Sequence, residues 1–270
     1  MLNWKWEDSD GIKYITVPEW GKQGADMMFT ARHQGYSIAP YDSLNLGLHV
    51  GDEADKVIKN RQKIMSIWGR SINDLICCEQ IHGNKVAVVD DSVRGRGALK
   101  HNDSMPGHDG MITNTPGLYL ALFFADCLPV FLFDPVNKVI ALVHSGWKGT
   151  MGKIVLQAVD KMNSQYRAEP KNIQALIGPG IAKCCFEINQ ELADRVSNEF
   201  AGFDNIMHVN NDRNFWDLTG TNYLLLRRAG LQANNIAVCE LCTKCHTDIF
   251  FSYRGEAGDT GRMAAVIGLA

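Results

Sequence analysis

The chain has 270 residues, 46% of them hydrophobic, and a formal charge of −3. Length and composition suit one large or two small globular domains with a sizeable core, and the near-neutral balance with no basic run argues against nucleic-acid binding. The N-terminal segment lacks the apolar core of a signal peptide, and Asp126 and Pro129 break the longest apolar stretch, so the expectation is a cytoplasmic protein with no membrane span.

Residues 12–17 and 26–31 read as early strands. Residues 41–52 form a polar–apolar loop ending in a turn, where Asn45, His49 and Asp52 are either site residues or turn formers. Residues 53–68 read as an amphipathic helix with Val57, Ile58, Ile64, Met65 and Trp68 inward. Arg61 falls on its presumed solvated face. Strands at 75–78 and 85–89 flank a turn that carries His82. Residues 91–108 are a long polar loop, of a kind that is often functional in a compact domain. Asp109 then opens the next strand.

The central stretch is 118–150. Residues 130–133 and 139–143 are short, β-branched and aromatic, and flank the turn signal Asp134-Pro135-Val136-Asn137-Lys138. A hairpin centred near Val136 brings Cys127 and His144 to its open end, where a thiol and an imidazole can share one site. Ser145-Gly146-Trp147-Lys148-Gly149-Thr150 is a glycine-rich turn. Met151, Ile154, Val155, Ala158, Val159 and Met162 follow at helical spacing, with Thr150 as N-cap. Backbone N–H groups at such a helix start favour an anion, and Lys148 adds a charge. The spacing is not that of a Walker loop.

Residues 173–177 read as a strand, 189–200 and 218–229 as helices with Gly230 as C-cap, 235–238 as a strand, and 249–252 as a further strand. The expected fold class is α+β, a single domain over residues 1–270 with mixed β-sheets flanked by helices.

Eight cysteines without a signal peptide point to a reducing compartment and to thiols used for metal, catalysis or packing. Cys239-x-x-Cys242-x-x-Cys245-His246 is the densest metal-like cluster, and its Cys242–His246 portion matches a haem-attachment pattern that export would be needed to use. A structural zinc site normally draws on two separated pairs, and no second pair at zinc-ribbon spacing follows. In the adjacent pairs Cys77-Cys78 and Cys184-Cys185, one member each is assigned to the core. His82, Cys127 and His144 form a sparser set that suits Zn²⁺, with three protein ligands and an open fourth position.

Seven motifs in order then resemble one family: Asn45-Leu46-Gly47-Leu48-His49-Val50-Gly51-Asp52, Asn60-Arg61, Gln80-Ile81-His82-Gly83, Ala125-Asp126-Cys127-Leu128-Pro129-Val130, His144-Ser145-Gly146-Trp147-Lys148-Gly149, Ile177-Gly178-Pro179-Gly180-Ile181, and Phe251-Ser252-Tyr253-Arg254 with Thr260-Gly261-Arg262. Together they resemble the laccase-domain, YfiH-like family, over residues 29–267. The resemblance implies a CNF-toxin/YfiH-like fold related to a toxin deamidase with a Cys–His pair. It implies a zinc-dependent purine nucleoside phosphorylase for adenosine, inosine, guanosine and methylthioadenosine, with adenosine deaminase activity. Alternatives are a copper polyphenol oxidase, or a Cys–His hydrolase linked to peptidoglycan editing.

The family's metal ligands fall on His82, Cys127 and His144. Zinc is the implied metal and copper the alternative. His33, His49, His101 and His108 show no paired spacing for a second copper centre. Cys127, His144 and Asp126 are the catalytic candidates, and Asn45, Arg61 and Lys148 the substrate-binding ones. Ser145 and Lys148 depart from the commoner Ala and Arg, and Lys lacks the bidentate fork of Arg. Expected partners are purine nucleosides and phosphate, with no nucleic acid and no membrane. The expected assembly is a monomer or homodimer.

Overall fold

The computed structural model describes residues 2–270. In chain order the strands are β1 (Lys5–Ser9), β2 (Ile12–Thr16), β3 (Ala25–Thr30), β4 (Leu75–Cys77), β5 (Val86–Val88), β6 (Gly110–Thr113), β7 (Tyr119–Phe124), β8 (Leu128–Asp134), β9 (Val139–Ser145), β10 (Gln174–Ile177), β11 (Glu187–Ile188), β12 (Met207–Asn210), β13 (Arg213–Trp216), β14 (Ile236–Val238) and β15 (Met263–Leu269). The helices are α1 (Pro18–Lys22), α2 (Ala54–Ser66), α3 (Trp147–Met151), α4 (Ile154–Tyr166), α5 (Gln190–Glu199) and α6 (Leu218–Arg228). Two mixed six-stranded sheets run β1-β2-β3-β15-β7-β4 and β14-β10-β8-β9-β6-β5, and a small sheet runs β11-β13-β12. This is the α+β class expected.

Every residue of β7, β8 and β9 is buried. Such runs need apolar cover on both faces of their sheet. Successive side chains supply it by pointing opposite ways. Phe131, Phe133, Ile140 and Leu142 of β8 and β9 meet Phe29, Phe124 and Ile267 from the other sheet. The alternate set, Val130, Leu132, Ala141 and Val143, packs on Val155, Val159 and Leu225 of α4 and α6. Tyr119, Phe123 and Val266, on the far face of the first sheet, meet Ile64 and Met65 of α2. The layers are therefore helix, sheet, sheet, helices.

The β8–β9 hairpin forms as expected, with Pro129 opposite His144. Cys127 lies just beyond β8, at the same open end. The helix expected after Gly149 divides instead into α3 and α4, because Lys153 between them is left-handed at φ 54°. Thr150 is consequently inside α3 and not an N-cap; Gly146 takes that place. Residues 249–252 are not a strand but a loop held by the backbone bonds of Ile249 and Phe250 to His246. Among the described residues no helix is long and apolar enough to cross a membrane.

Phe131 is fully buried between the sheets, so Phe131→Ala should cost about 3–5 kcal/mol in denaturant unfolding. A loss below about 1 kcal/mol would contradict its place in that layer.

Candidate active site

Three segments converge at the open end of the hairpin. The turn after β4 carries His82 in a left-handed conformation, φ 60°. Gln80 pins that turn to β7, because its amide accepts from Phe123 N–H and donates to Phe123 O, both at 2.8 Å. Cys127 follows the β7–β8 turn, and His144 sits near the end of β9. Ligand atoms of His82, Cys127 and His144 all lie within 4.8 Å of one another. The two imidazoles meet edge to face with centroids 4.9 Å apart.

Asp109, buried at the entrance to β6, organises both histidines. Its Oδ1 lies 2.9 Å from His144 Nδ1 and accepts from His82 N–H at 2.9 Å, while Oδ2 accepts from Gly83 N–H at 2.6 Å. Burial alone would push this carboxyl up, but the bonds from His144, Gly83 and His82 hold it below the usual range. With Nδ1 committed to Asp109, His144 has Nε2 free for a ligand, the carboxylate–histidine arrangement common at metal sites.

Burial pushes the Cys127 thiol up, but the charge of His144 and hydrogen bonds from His144 and His82 outweigh it and hold the thiol at about 6. Burial lowers His144, and the Cys127 thiolate together with Asp109 carries it up to about 9. Without a metal the pair is thus a thiolate and an imidazolium between those values. Two imidazoles and a thiolate fit Zn²⁺, which takes such donors tetrahedrally with one position left open. Gly146 is required here: a Cβ on it would lie 2.7 Å from Cys127 Sγ.

The three ligands line a cavity of about 650 Å³, within the range of small-molecule sites. Phe123, Trp147, Phe186 and Tyr253 supply aromatic wall, and Arg254 and Arg262 supply positive charge. His49 and His101 also face it, with ring centroids 5.2 Å apart. Burial, with the charge of Arg262, lowers His49 to about 3, so it is neutral at neutral pH.

Asp126 lines the cavity too, in a left-handed turn at φ 90°. Its carboxylate accepts from Thr243 Oγ1 and Ser252 Oγ, both at 2.7 Å, and from Arg254 N–H at 2.6 Å. A non-glycine residue in such a turn stores about 1–3 kcal/mol of strain, which these bonds retain. With both oxygens occupied, Asp126 positions the Arg254 loop and is poorly placed to shuttle a proton.

The three substrate-binding candidates lie off the cavity lining. Arg61 is buried and not on a solvated face: it donates to Leu46 O, Gly97 O and Ala98 O and stacks 4.3 Å over the Phe123 ring. Asn45 is fully buried, accepts from Arg262 N–H and donates to Asp52. Lys148 is exposed beside the Trp147 ring. Arg61, Asn45 and Lys148 are therefore not among the residues that line the cavity. Arg61 and Asn45 hold the cavity wall from behind, and Arg254 and Arg262 are the cations that face inward. Asp109 was missed as a site residue; its only signal was a carboxylate directly before an apolar strand.

Asp109→Asn should fold but bind zinc 10–100-fold more weakly, as measured by competition with a chromogenic chelator. Unchanged affinity would show that Asp109 does not orient the ligands.

The protein-family model for multi-copper polyphenol oxidoreductase laccase matches residues 26–270. The chain is 35% identical to purine nucleoside phosphorylase YlmD of Bacillus subtilis, over 89% of this chain and 87% of that protein. It is 31% identical to adenosine deaminase RL5 from an unknown prokaryotic organism, over 89% of this chain and 92% of that one. The crystal structure of YlmD from Geobacillus stearothermophilus superposes with a TM-score of 0.92 at 33% identity, covering 98% of each chain. The family-model match and these similarities over nearly the whole chain show that it belongs to the laccase-like, YfiH family, whose curated members include enzymes named purine nucleoside phosphorylase and adenosine deaminase.

Proposed function

We propose that this chain is a zinc-dependent purine nucleoside phosphorylase that also deaminates adenosine at the same centre. The observation that carries the reading is an open two-histidine, one-cysteine ligand set within an aromatic and arginine-lined cavity. His82, Cys127 and His144 would hold a Zn²⁺, and that ion would supply Lewis-acid chemistry, lowering the pKa of water and polarising an acceptor atom of the substrate. The aromatic side chains offer faces on which a purine stacks. Arg254 and Arg262 hold phosphate against the ribose, fixing the geometry of attack. In phosphorolysis a phosphate oxygen bonds to C1′, the bond from C1′ to the base breaks, and its electron pair leaves with the base. In deamination water replaces the C6 amino group, which departs as ammonia. Asp109 keeps His144 in the ligating tautomer throughout. A purine nucleoside and phosphate suit a cavity of this size, and adenosine, inosine, guanosine and methylthioadenosine all carry a purine base on a ribose-type sugar.

Copper is favoured less by the donor set. An electron-transfer copper site encloses two histidines and a cysteine with an axial ligand in a closed apolar shell. These ligands open onto a cavity instead. Among the described residues the other metal-ligand cluster is four cysteines, with no histidine-rich group for a multi-copper centre.

One observation favours a second reading. The Cys127 and His144 ligand atoms lie within 4.8 Å of each other, and a thiol lowered by that neighbouring imidazole is a nucleophile with its base. That metal-free hydrolase would ignore chelators and be inactivated covalently at Cys127.

Chromatography of adenosine and inosine incubated with zinc-assayed protein separates these cases. Free base with ribose 1-phosphate, only when phosphate is present, is expected, as is inosine from adenosine without phosphate. Cys127→Ala should lose both activities and the zinc bound at His82 and His144. Unchanged nucleosides with zinc bound, or a fully active zinc-free variant, would overturn the proposal. Arg262→Gln should raise KM for phosphate at least tenfold while adenosine deamination changes less.

A further inference from the structure

A second cluster of ligating side chains lies outside the cavity. Cys184 and Cys185 lie in the loop between β10 and β11, and Cys242 and Cys245 in the loop after β14. The two loops are joined by a backbone bridge between Gly180 and Cys242 and by Thr243 N–H donating to Gly180 O at 3.0 Å. That pairing brings two sequence-distant cysteine pairs together, and all four Sγ atoms lie within 4.8 Å of one another. The requirement for two separated pairs is thus met by Cys184-Cys185, which no zinc-ribbon spacing would reveal. Cys239 is buried in the core elsewhere, and His246 is not one of the four.

We propose that Cys184, Cys185, Cys242 and Cys245 bind a second metal ion, a single tetrahedral Zn²⁺ with a structural role. Four sulfurs at about 2.3 Å from one zinc stand about 3.8 Å apart. The Sγ of Cys245 is 3.6 Å from that of Cys184 and 3.4 Å from that of Cys185, so little movement closes the tetrahedron. A disulfide needs about 2.05 Å, and all eight cysteines are free. The 4.8 Å limit leaves room for one ion and not for an iron–sulfur cube between the thiolates. Four thiols release four protons as they ligate, leaving two negative charges on the complex. Ala182 N–H already points at Cys242 Sγ from 3.4 Å and offsets part of that charge.

The ion would staple the two loops that wall the active-site cavity. Ile181 and Phe186 line the cavity from one loop. Thr243, between the two cysteines of the other, donates to Asp126. The ion therefore acts behind the reacting centre.

Metal counting on the full chain, purified without a histidine tag, tests this. Wild type should hold two zinc ions per chain, Cys127→Ser one, and Cys184→Ser with Cys245→Ser one. Cobalt-loaded Cys127→Ser protein should show the strong near-ultraviolet thiolate-to-cobalt band and intense visible bands of a tetrahedral, all-sulfur site. If the double variant does not fold, wild type and Cys127→Ser still decide. One zinc in wild type with none in Cys127→Ser would overturn the proposal. So would a Cys245 disulfide in protein kept anaerobic.

Discussion

A single carboxylate holds the centre together. Asp109 is fully buried, and it is stable there because one histidine ring and two backbone N–H groups point at it. Those donors serve two requirements of the site. The ring bond fixes which nitrogen of His144 is free. The backbone bonds fold the left-handed turn that lifts His82 toward the same point. Leaving a buried charge without such partners costs several kcal/mol, on the order of 3–5. The stability of Asp109 and the geometry of the ligands are therefore one arrangement.

Around that point the two-sheet sandwich acts as a frame. Its central strands β7, β8, β9 and β15 are buried on both faces, and the turns at their ends bear the chemistry. Asp126 sits in the turn from β7 to β8 at φ 90°, with both carboxylate oxygens accepting hydrogen bonds. Its bonds reach Thr243, Ser252 and Arg254, which places the C-terminal loops over the cavity. Arg262 enters from the same side, its backbone N–H held by the buried Asn45. The cavity wall is thus built from residues far apart in sequence, and the two cysteine pairs lie just behind it.

The legible part of the sequence was local. The hairpin, its turn and the position of Cys127 and His144 at its mouth follow from apolar runs and a turn signal, as do α2, α4, α5 and α6. Strand β15 was not recognised, although it joins β3 to β7 at the middle of the first sheet. Its Ala-rich run with Gly268 has little of the β-branched character that marks strands, and its stability comes from neighbours on both sides. The three-stranded sheet escaped for the opposite reason, since β12 and β13 are partly exposed and polar. Arg61 was misread because a helix pattern assigns charges to water. Here the guanidinium finds three carbonyls and an aromatic face inside. Asp109 and the Cys184-Cys185 pair depend on long-range pairing, which no periodicity encodes. His82 comes within 4.8 Å of Cys127 and His144, ligand atom to ligand atom, although its distance from them in sequence left that proximity to the fold.

Crystals soaked with zinc and a non-cleavable purine nucleoside analogue, measured at the zinc absorption edge, test the central claim most directly. The account predicts an anomalous peak bonded to His82, Cys127 and His144, with the purine against the aromatic wall of the same cavity. An analogue bound at another surface, or a peak absent from those three residues in protein that turns nucleosides over, would contradict it.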